Sequence, residues 1–341
     1  MQVSCHGYEL KLRDPFTISR GTTTIQPTMI VRLEHEGLVG LGEATTNDFY
    51  GATLANMRAA LDSVSATLRD YRLENPAELW RELDSVLSKN RFAQCALDCA
   101  AWDLFAQMNQ MPLWKLWGLN PEDGYPPTCY TIGIDTADVM LRKMNAMPDW
   151  PIYKIKLDST GGLDIVRTLR RATSSVFRVD ANCSWTADQV LPRAEELAKL
   201  NVELIEQPLP TDCYTEMRPL KGRSPLPLMA DESCQVESDV DRCIEAFDAI
   251  NVKLVKCGGL TPARRMIARA KQNGLKVMVG CMTESSVGIA AGAHLLPLLD
   301  YADLDGALLL AEDIASGLSW DHGKWLPSTA PGLGIKLTVG L

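Results

Sequence analysis

Tyr153-Lys154-Ile155-Lys156, Val176-Phe177-Arg178-Val179-Asp180, Val202-Glu203-Leu204-Ile205-Glu206, Leu226-Pro227-Leu228-Met229-Ala230-Asp231 and Asn251-Val252-Lys253 are five mostly apolar runs, each closing on a charged residue. A charge at the end of an otherwise buried strand is costly unless it is paired or binds a metal. Its recurrence on consecutive strands, in the order Lys, Asp, Glu, Asp, Lys, reads as an active site. The separations are 24, 26, 25 and 22 residues from Lys156 to Asp180, Glu206, Asp231 and Lys253. A strand, a helix and two short loops take roughly 25–30 residues, so each charge caps one βα unit. Helical patterning over 164–173, 187–201, 239–247 and 262–273 fills the intervals. In a parallel βα barrel the C-terminal strand ends share one face, where such barrels do chemistry.

Outward from this block, Cys129-Tyr130-Thr131-Ile132-Gly133 supplies a first barrel strand, residues 276–281 a seventh and Tyr301-Ala302-Asp303-Leu304-Asp305 an eighth. The N-terminal part follows a different grammar. Residues 28–35 and 39–43 flank Glu36-Gly37 and read as a hairpin. Residues 14–21, carrying Arg20, form a polar loop segment, and 45–51 a second loop. Helices are expected at 54–70, 76–88 and 93–106, the last Ala-rich and buried between layers. The fold class is therefore α/β, and the chain divides into an α+β lobe (1–117), a βα barrel (118–315) and a C-terminal segment (316–341) that packs back on the first lobe.

A chain of 341 residues with 46% hydrophobic content and a mean hydropathy of -0.06 buries a substantial core. The net charge of -9 argues against nucleic-acid and anionic-membrane partners. Ten scattered cysteines, with no CxxC pair and no zinc spacing, read as free thiols in a reducing compartment. The first residues lack signal-peptide character, so a cytoplasmic location is expected.

Asp180, Glu206 and Asp231 offer hard oxygen ligands without Cys or His, which suits Mg²⁺, with Mn²⁺ as the alternative. Lys154 and Lys156, two apart, point to the same side of their strand, and Lys253 sits across the barrel. A lysine acts as a base only once its pKa is lowered, by burial or by neighbouring positive charge such as Lys154, Lys256 or the metal. Two opposed lysines flanking one carbon fit removal of a proton from one face and its return to the other, through a metal-stabilised enolate.

The chain resembles the enolase superfamily, in its muconate-lactonizing subgroup. The resemblance rests on Lys154-Ile155-Lys156, Val179-Asp180-Ala181-Asn182, Glu206-Gln207-Pro208, Asp231-Glu232-Ser233, the run from Asn251 to Gly259, the helix from Ala96 to Asp103, and Gly42-Glu43-Ala44. It implies an α+β capping domain on a modified (β/α)7β TIM-type barrel. It also implies Mg²⁺ on Asp180, Glu206 and Asp231, and acid/base roles for Lys156 and Lys253; Lys or His bases with Mg²⁺ are the general pattern of such sites.

The subgroup runs several reactions on one scaffold, so the eighth strand carries the choice. Asp303 and Asp305 lie on one face of its end and suit a cationic substrate group. They resemble the Asp-x-Asp motif with which dipeptide epimerases bind the free α-ammonium. Arg20 resembles the residue with which Ala-Glu epimerases hold a side-chain carboxylate, a task that suits a guanidinium. Thr131, Lys154, Cys281 and Met282 line the substrate site by position in the family. The resemblance thus implies an isomerase inverting the C-terminal residue of an L,L-dipeptide, in a homo-oligomer as is common among relatives. An N-acylamino acid racemase, an o-succinylbenzoate synthase, a cycloisomerase and a catalytically idle binding barrel are the alternatives. Neither the preferred side chains nor the lysine that acts first follows from the sequence.

Overall fold

The computed structural model describes residues 1–159 and 162–340. Its N-terminal part is an antiparallel sheet in the order β1 (Gln2–Ile18), β2 (Gly21–His35), β3 (Leu38–Thr45). Glu36 and Gly37 join β2 to β3 with positive φ of 48° and 80°, the backbone that two-residue hairpin turns require. Residues 14–21 are not a loop. After a register irregularity between Lys11 and Phe16, β1 resumes pairing through Ile18 with Gly21. Arg20 therefore stands at the tip of a long hairpin. The segment is polar, so it lacks hydrophobic alternation, but Thr17 and Ile18, and Thr22 to Thr24 on the strand it pairs with, favour extended backbone. Past β3, residues 48–50 make one 3-10 turn, capped by Asn47.

Three helices follow, α1 (Leu54–Asp70), α2 (Pro76–Leu87) and α3 (Arg91–Met108), then the one-turn α4 (Leu113–Leu116). α3 is buried along nearly its whole length and lies directly on β3. A methyl group at Gly40 or Gly42 would overlap the carbonyl oxygens of Ala100 and Ala96. Glycine on the strand and alanine on the helix thus set the distance between the two layers.

The second part is a parallel barrel. Its strands are β4 (Tyr130–Ile132), β5 (Ile152–Lys156), β6 (Val176–Asp180), β7 (Val202–Glu206), β8 (Leu228–Ala230), β9 (Ala249–Lys253), β10 (Lys276–Gly280) and β11 (Tyr301–Asp303), hydrogen-bonded in sequence order. A bridge between Thr128 and Ala302 links the first strand to the last. The crossovers carry α5 (Ala137–Asn145), α6 (Gly162–Arg170), α7 (Ala187–Ala198), α8 (Tyr214–Met217), α9 (Asp239–Ile244), α10 (Leu254–Cys257) with α11 (Leu260–Gln272), and α12 (Ser286–Ala293). Only a 3-10 turn follows β11, so the architecture is (β/α)7β. Inside the barrel Leu204, Met229, Ala249 and Met278 form an apolar layer with Tyr301. Leu204, Met229, Ala249 and Tyr301 each precede by two residues a position that carries chemistry or its support, as strand alternation demands.

The chain ends in two short antiparallel pairs, β12 (Ala315–Ser316) with β15 (Lys336–Leu337) and, between them, the hairpin of β13 (Trp320–Asp321) with β14 (Lys324–Trp325). Leu337 and Ile335 pack on the cluster of Leu10, Ile30 and Leu41. Asp103 of α3 ties the pieces together, accepting the Leu41 and Leu333 amides at 2.8 Å each. Among the described residues no helix is long and apolar enough to cross a membrane.

Candidate active site

The C-terminal ends of the barrel strands converge beneath the N-terminal sheet. Asp180, Glu206 and Asp231 are fully buried, and one carboxylate oxygen from each lies within 4.8 Å of the others. Around them stand four buried lysines. Lys156 Nζ is 2.6 Å from Asp180 Oδ2 and Lys253 Nζ is 3.0 Å from Asp231 Oδ2. Lys256 Nζ donates to Asp231 Oδ1 at 2.6 Å and to the Asp231 and Cys234 carbonyls. Lys154 Nζ lies 2.7 Å from Asp303, 2.8 Å from Glu206 and 3.1 Å from Asp180.

Burial raises a carboxyl pKa and nearby ammonium groups lower it, and the balance differs from strand to strand. At Asp180 burial is outweighed by Lys156 and Lys154, which hold its pKa low. At Asp231 Lys253 and Lys256 outweigh it further. Glu206 is pushed up to about 7, by burial and then by Asp180. Its neutral donor is Asn251 Nδ2, 2.9 Å from Oε1. The triad brings three buried carboxylates together with no sulfur or nitrogen donor, and such an oxygen-only, anionic site is the donor set that Mg²⁺ takes. The residues fit the ion.

Arg20, Thr131, Lys156, Asp231, Lys253, Cys281, Met282, Asp303 and Asp305 line one cavity of about 150 Å³. That volume suits a small molecule. Lys156 and Lys253 enter it from separate strands, with the triad between them in strand order. Lys154, Asp180 and Glu206 lie beneath its wall. Lys154 in particular is turned onto the carboxylates rather than into the cavity.

Asp303 is held low, since Lys154 and Lys156 outweigh its burial, and Cys129 Sγ donates to its Oδ1 at 3.0 Å. Asp305 takes the Thr131 amide on Oδ2. Burial and the neighbouring Asp303 still push Asp305 up to about 7. The pair therefore carries negative charge that the protein leaves incompletely balanced. Arg20 reaches the cavity from the hairpin tip, but its Nη1 is 2.9 Å from Glu232 Oε1 and 3.4 Å from the Asn182 carbonyl. Its guanidinium stacks on Phe49, 4.6 Å from the ring centroid.

Sequence reading missed four of these partners. Asn251 and Cys129 lie two residues before Lys253 and Thr131, so strand alternation was a usable signal for both. Gly280 confirms the crowding there, because a methyl group on it would meet the Asn251 amide. Glu232 and Asn182, which hold Arg20, lie in two of the motifs that carry the family resemblance, but nothing in those motifs links them to Arg20.

Residues 2–118 match the family model "Mandelate racemase / muconate lactonizing enzyme, N-terminal domain", and residues 140–339 match "Enolase C-terminal domain-like". The chain belongs to the enolase superfamily. Within the superfamily, an L-Ala-D/L-amino acid epimerase of Flavobacterium johnsoniae is 47% identical over 337 residues, 99% of this chain and 100% of the relative. The crystal structure of a dipeptide epimerase from Enterococcus faecalis, complexed with Mg and L-Leu-L-Tyr, superposes with a TM-score of 0.92 at 30% identity, over 98% of both chains. A muconate lactonizing enzyme from Pseudomonas fluorescens, complexed with muconolactone, superposes nearly as well, with a TM-score of 0.91 at 27% identity over 98% and 96% of the two chains. Enolase-superfamily architecture alone therefore does not choose the reaction.

Proposed function

We propose that this protein is a Mg²⁺-dependent dipeptide epimerase, an isomerase that inverts the α-carbon of the C-terminal residue of L-Ala-X and related L,L-dipeptides. The observation that carries the reading is a single cavity with a lysine from β5 on one side, a lysine from β9 on the other, and an undercompensated carboxylate pair at the end of β11. The dipeptide epimerases among the relatives support the substrate class.

Asp180, Glu206 and Asp231 would hold the ion. When bound, Mg²⁺ supplies positive charge toward the substrate carboxylate, which makes the α-proton more acidic. Asp303 and Asp305 receive the α-ammonium and so fix the dipeptide's direction in the cavity. One of Lys156 and Lys253, as the free amine, takes the α-proton, and the other, as the ammonium, returns a proton to the opposite face; the expected lowering of the lysine pKa is not what the structure gives at Lys253, where burial is outweighed by Asp231, which raises it. Lys154 holds Asp180, Glu206 and Asp303 at their spacing, and Lys256 does the same for Asp231. Thr131 orients Asp305 through its amide. Cys281 and Met282 form the wall beside Lys253, and Arg20 faces the side chain of the residue being inverted.

The same reading divides the chain into a capping domain (1–117), a barrel (118–315) and a returning C-terminal segment (316–341). It places the enzyme in the cytoplasm, as a homo-oligomer with dipeptide substrates; the ten free cysteines fit a reducing compartment. The test is solvent deuterium uptake into a pooled L,L-dipeptide library with Mg²⁺, read by mass spectrometry. One deuteron in particular dipeptides is expected, most readily in those with N-terminal alanine. No uptake in any dipeptide overturns the reading.

A further inference from the structure

Gly42-Glu43-Ala44 has no part in the chemistry above, yet Glu43 is among the most heavily bonded side chains in the molecule. It lies on β3, 1% exposed. Its Oε1 accepts Thr28 Oγ1 at 2.8 Å and the Ser285 amide at 3.0 Å. Its Oε2 accepts the Ser285 hydroxyl and the Gly288 amide, the latter at 2.9 Å. Apart from Thr28, every donor belongs to the start of α12 in the barrel. A carboxylate receiving the free amides of a helix N-terminus is a strong, charge-assisted clamp.

We infer that Glu43 is a positioning residue for the substrate wall: from the N-terminal sheet it fixes the loop that carries Cys281, Met282 and Thr283 into the cavity. The loop is short and held at both ends. Its upstream end is pinned where the Cys281 amide bonds the Asp303 carbonyl at 3.0 Å. Its downstream end is Ser285, held by Glu43. Only Met282, Thr283 and Glu284 lie between, so any movement of Ser285 passes to cavity-lining residues. The underside offers no slack, because Gly306 presses against the Met282 carbonyl and the Glu284 amide. The height of Glu43 is itself fixed by the contact of Gly40 and Gly42 with α3. Sheet, helix and cavity wall form one chain of contacts. Lys156, Lys253 and the carboxylate triad stand outside it, since Glu43 touches none of their strands.

The inference rests on the dipeptide reading for its kinetic consequence and on the contacts alone for its structural one, and the experiment separates the two. Glu43→Ala, Glu43→Gln and Ser285→Ala are compared with the parent by hydrogen exchange, by Mg²⁺ affinity and by steady-state kinetics on a dipeptide the parent turns over. In Glu43→Ala the amides of residues 282–288 exchange at least tenfold faster, while β5–β9 keep their protection and Mg²⁺ affinity stays within twofold. KM rises about tenfold with kcat within threefold, the split expected for a displaced binding wall. Ser285→Ala moves both readouts in the same direction by less, and Glu43→Gln, which keeps one acceptor oxygen, recovers part of each. Unchanged exchange in 282–288 overturns the clamp, and an unchanged KM, or a loss confined to kcat, overturns its role in binding. If Glu43→Ala does not fold, the Gln and Ser285 variants decide by the same readouts. A parent that turns over no dipeptide overturns the proposed function, and the exchange data then decide the clamp alone.

Discussion

Two lysines, one carboxylate pair and one arginine carry the distinguishing chemistry at the scale of single residues. Alanine in place of Lys156 or Lys253 removes one of the two proton carriers, and a positioned acid or base is worth roughly 10²–10⁴ in rate. Each variant is expected to lose epimerisation by at least about that factor. Wild-type turnover in either one would refute the two-base scheme. Asp303→Asn removes a charge from the ammonium-receiving pair, and a hydrogen bond to a charged group is worth about 1.5–3 kcal/mol, roughly 10–100-fold. The expected loss is selective: kcat/KM falls for free dipeptides and the preference over their N-acetyl analogues shrinks. An unchanged preference would remove Asp303 from substrate binding. Arg20 has two competing uses, since Glu232 and Asn182 already hold it. If it also reads the substrate side chain, Arg20→Met lowers kcat/KM for acidic C-terminal residues about tenfold more than for glutamine, the order of a charged hydrogen bond. An equal loss for both would leave Arg20 as a tie between the hairpin tip and the barrel. The sequence placed Arg20 near the site through a motif, but its partner Glu232 comes from a strand end far along the chain, which no local pattern connects to it.

The barrel elements were legible because β5 to β9 and β11 each pair an apolar run with a charge at or just past the strand end and the longer helices show the 3.6-residue period. α1 is a clear case: Thr53 caps it with a reciprocal bond to Asn56, and it spans the expected 54–70. α8 and α10 are single turns, too short to show any period, and the hairpin tip is solvated on a polar face. What holds the elements against each other was less legible, because it depends on buried carboxylates that look like surface residues in a sequence. Asp98 of α3 accepts the amide and hydroxyl of Thr261, at 2.8 and 2.7 Å, at the start of α11. Burial pushes its pKa up to about 7 even so. The folded protein therefore binds this proton more tightly than the unfolded chain does between about pH 4 and pH 7. The stability it contributes is complete below that window and is lost as pH rises through about 7. Asparagine at this position does not titrate. The melting-temperature advantage of the parent over Asp98→Asn is thus expected to shrink from pH 5 to pH 8, and a constant difference would refute the assignment. Gly42→Ala tests the layer spacing: its methyl group meets the Ala96 carbonyl, and overpacking of this kind costs roughly 1–3 kcal/mol. A melting temperature equal to the parent's would show that α3 can move away freely.

Seen over the whole molecule, charge is concentrated where the strands end. Asp180, Glu206, Asp231, Glu232, Asp303 and Asp305 are buried there against Lys154, Lys156, Lys253 and Lys256, with Arg20 at the rim. Buried ion pairs repay their desolvation only when the set is complete, and the raised pKa values of Glu206, Asp305 and Glu232 mark where this one is not, Glu232 being the one that Arg20 already answers. Glu206 and Asp305, the two that no arginine answers, stand at or just past the ends of different strands. One faces the carboxylate triad and the other faces the cavity. A divalent cation would answer the first and a substrate ammonium the second, so metal and dipeptide are expected to stabilise the fold separately. Mg²⁺ at a hundredfold excess over its dissociation constant contributes about 2.7 kcal/mol, worth roughly 4 °C in a chain of this size. Chelation is therefore expected to lower the melting temperature by that order and abolish deuterium uptake, and added Mg²⁺ to restore both. Asp180→Asn should abolish the Mg²⁺-dependent shift, because it takes one oxygen charge from the triad. Asp303→Asn should keep that shift and lose the further rise on adding dipeptide. If Asp180→Asn kept the full Mg²⁺ shift, the ion would be binding elsewhere, and the triad would be a network of lysine partners only.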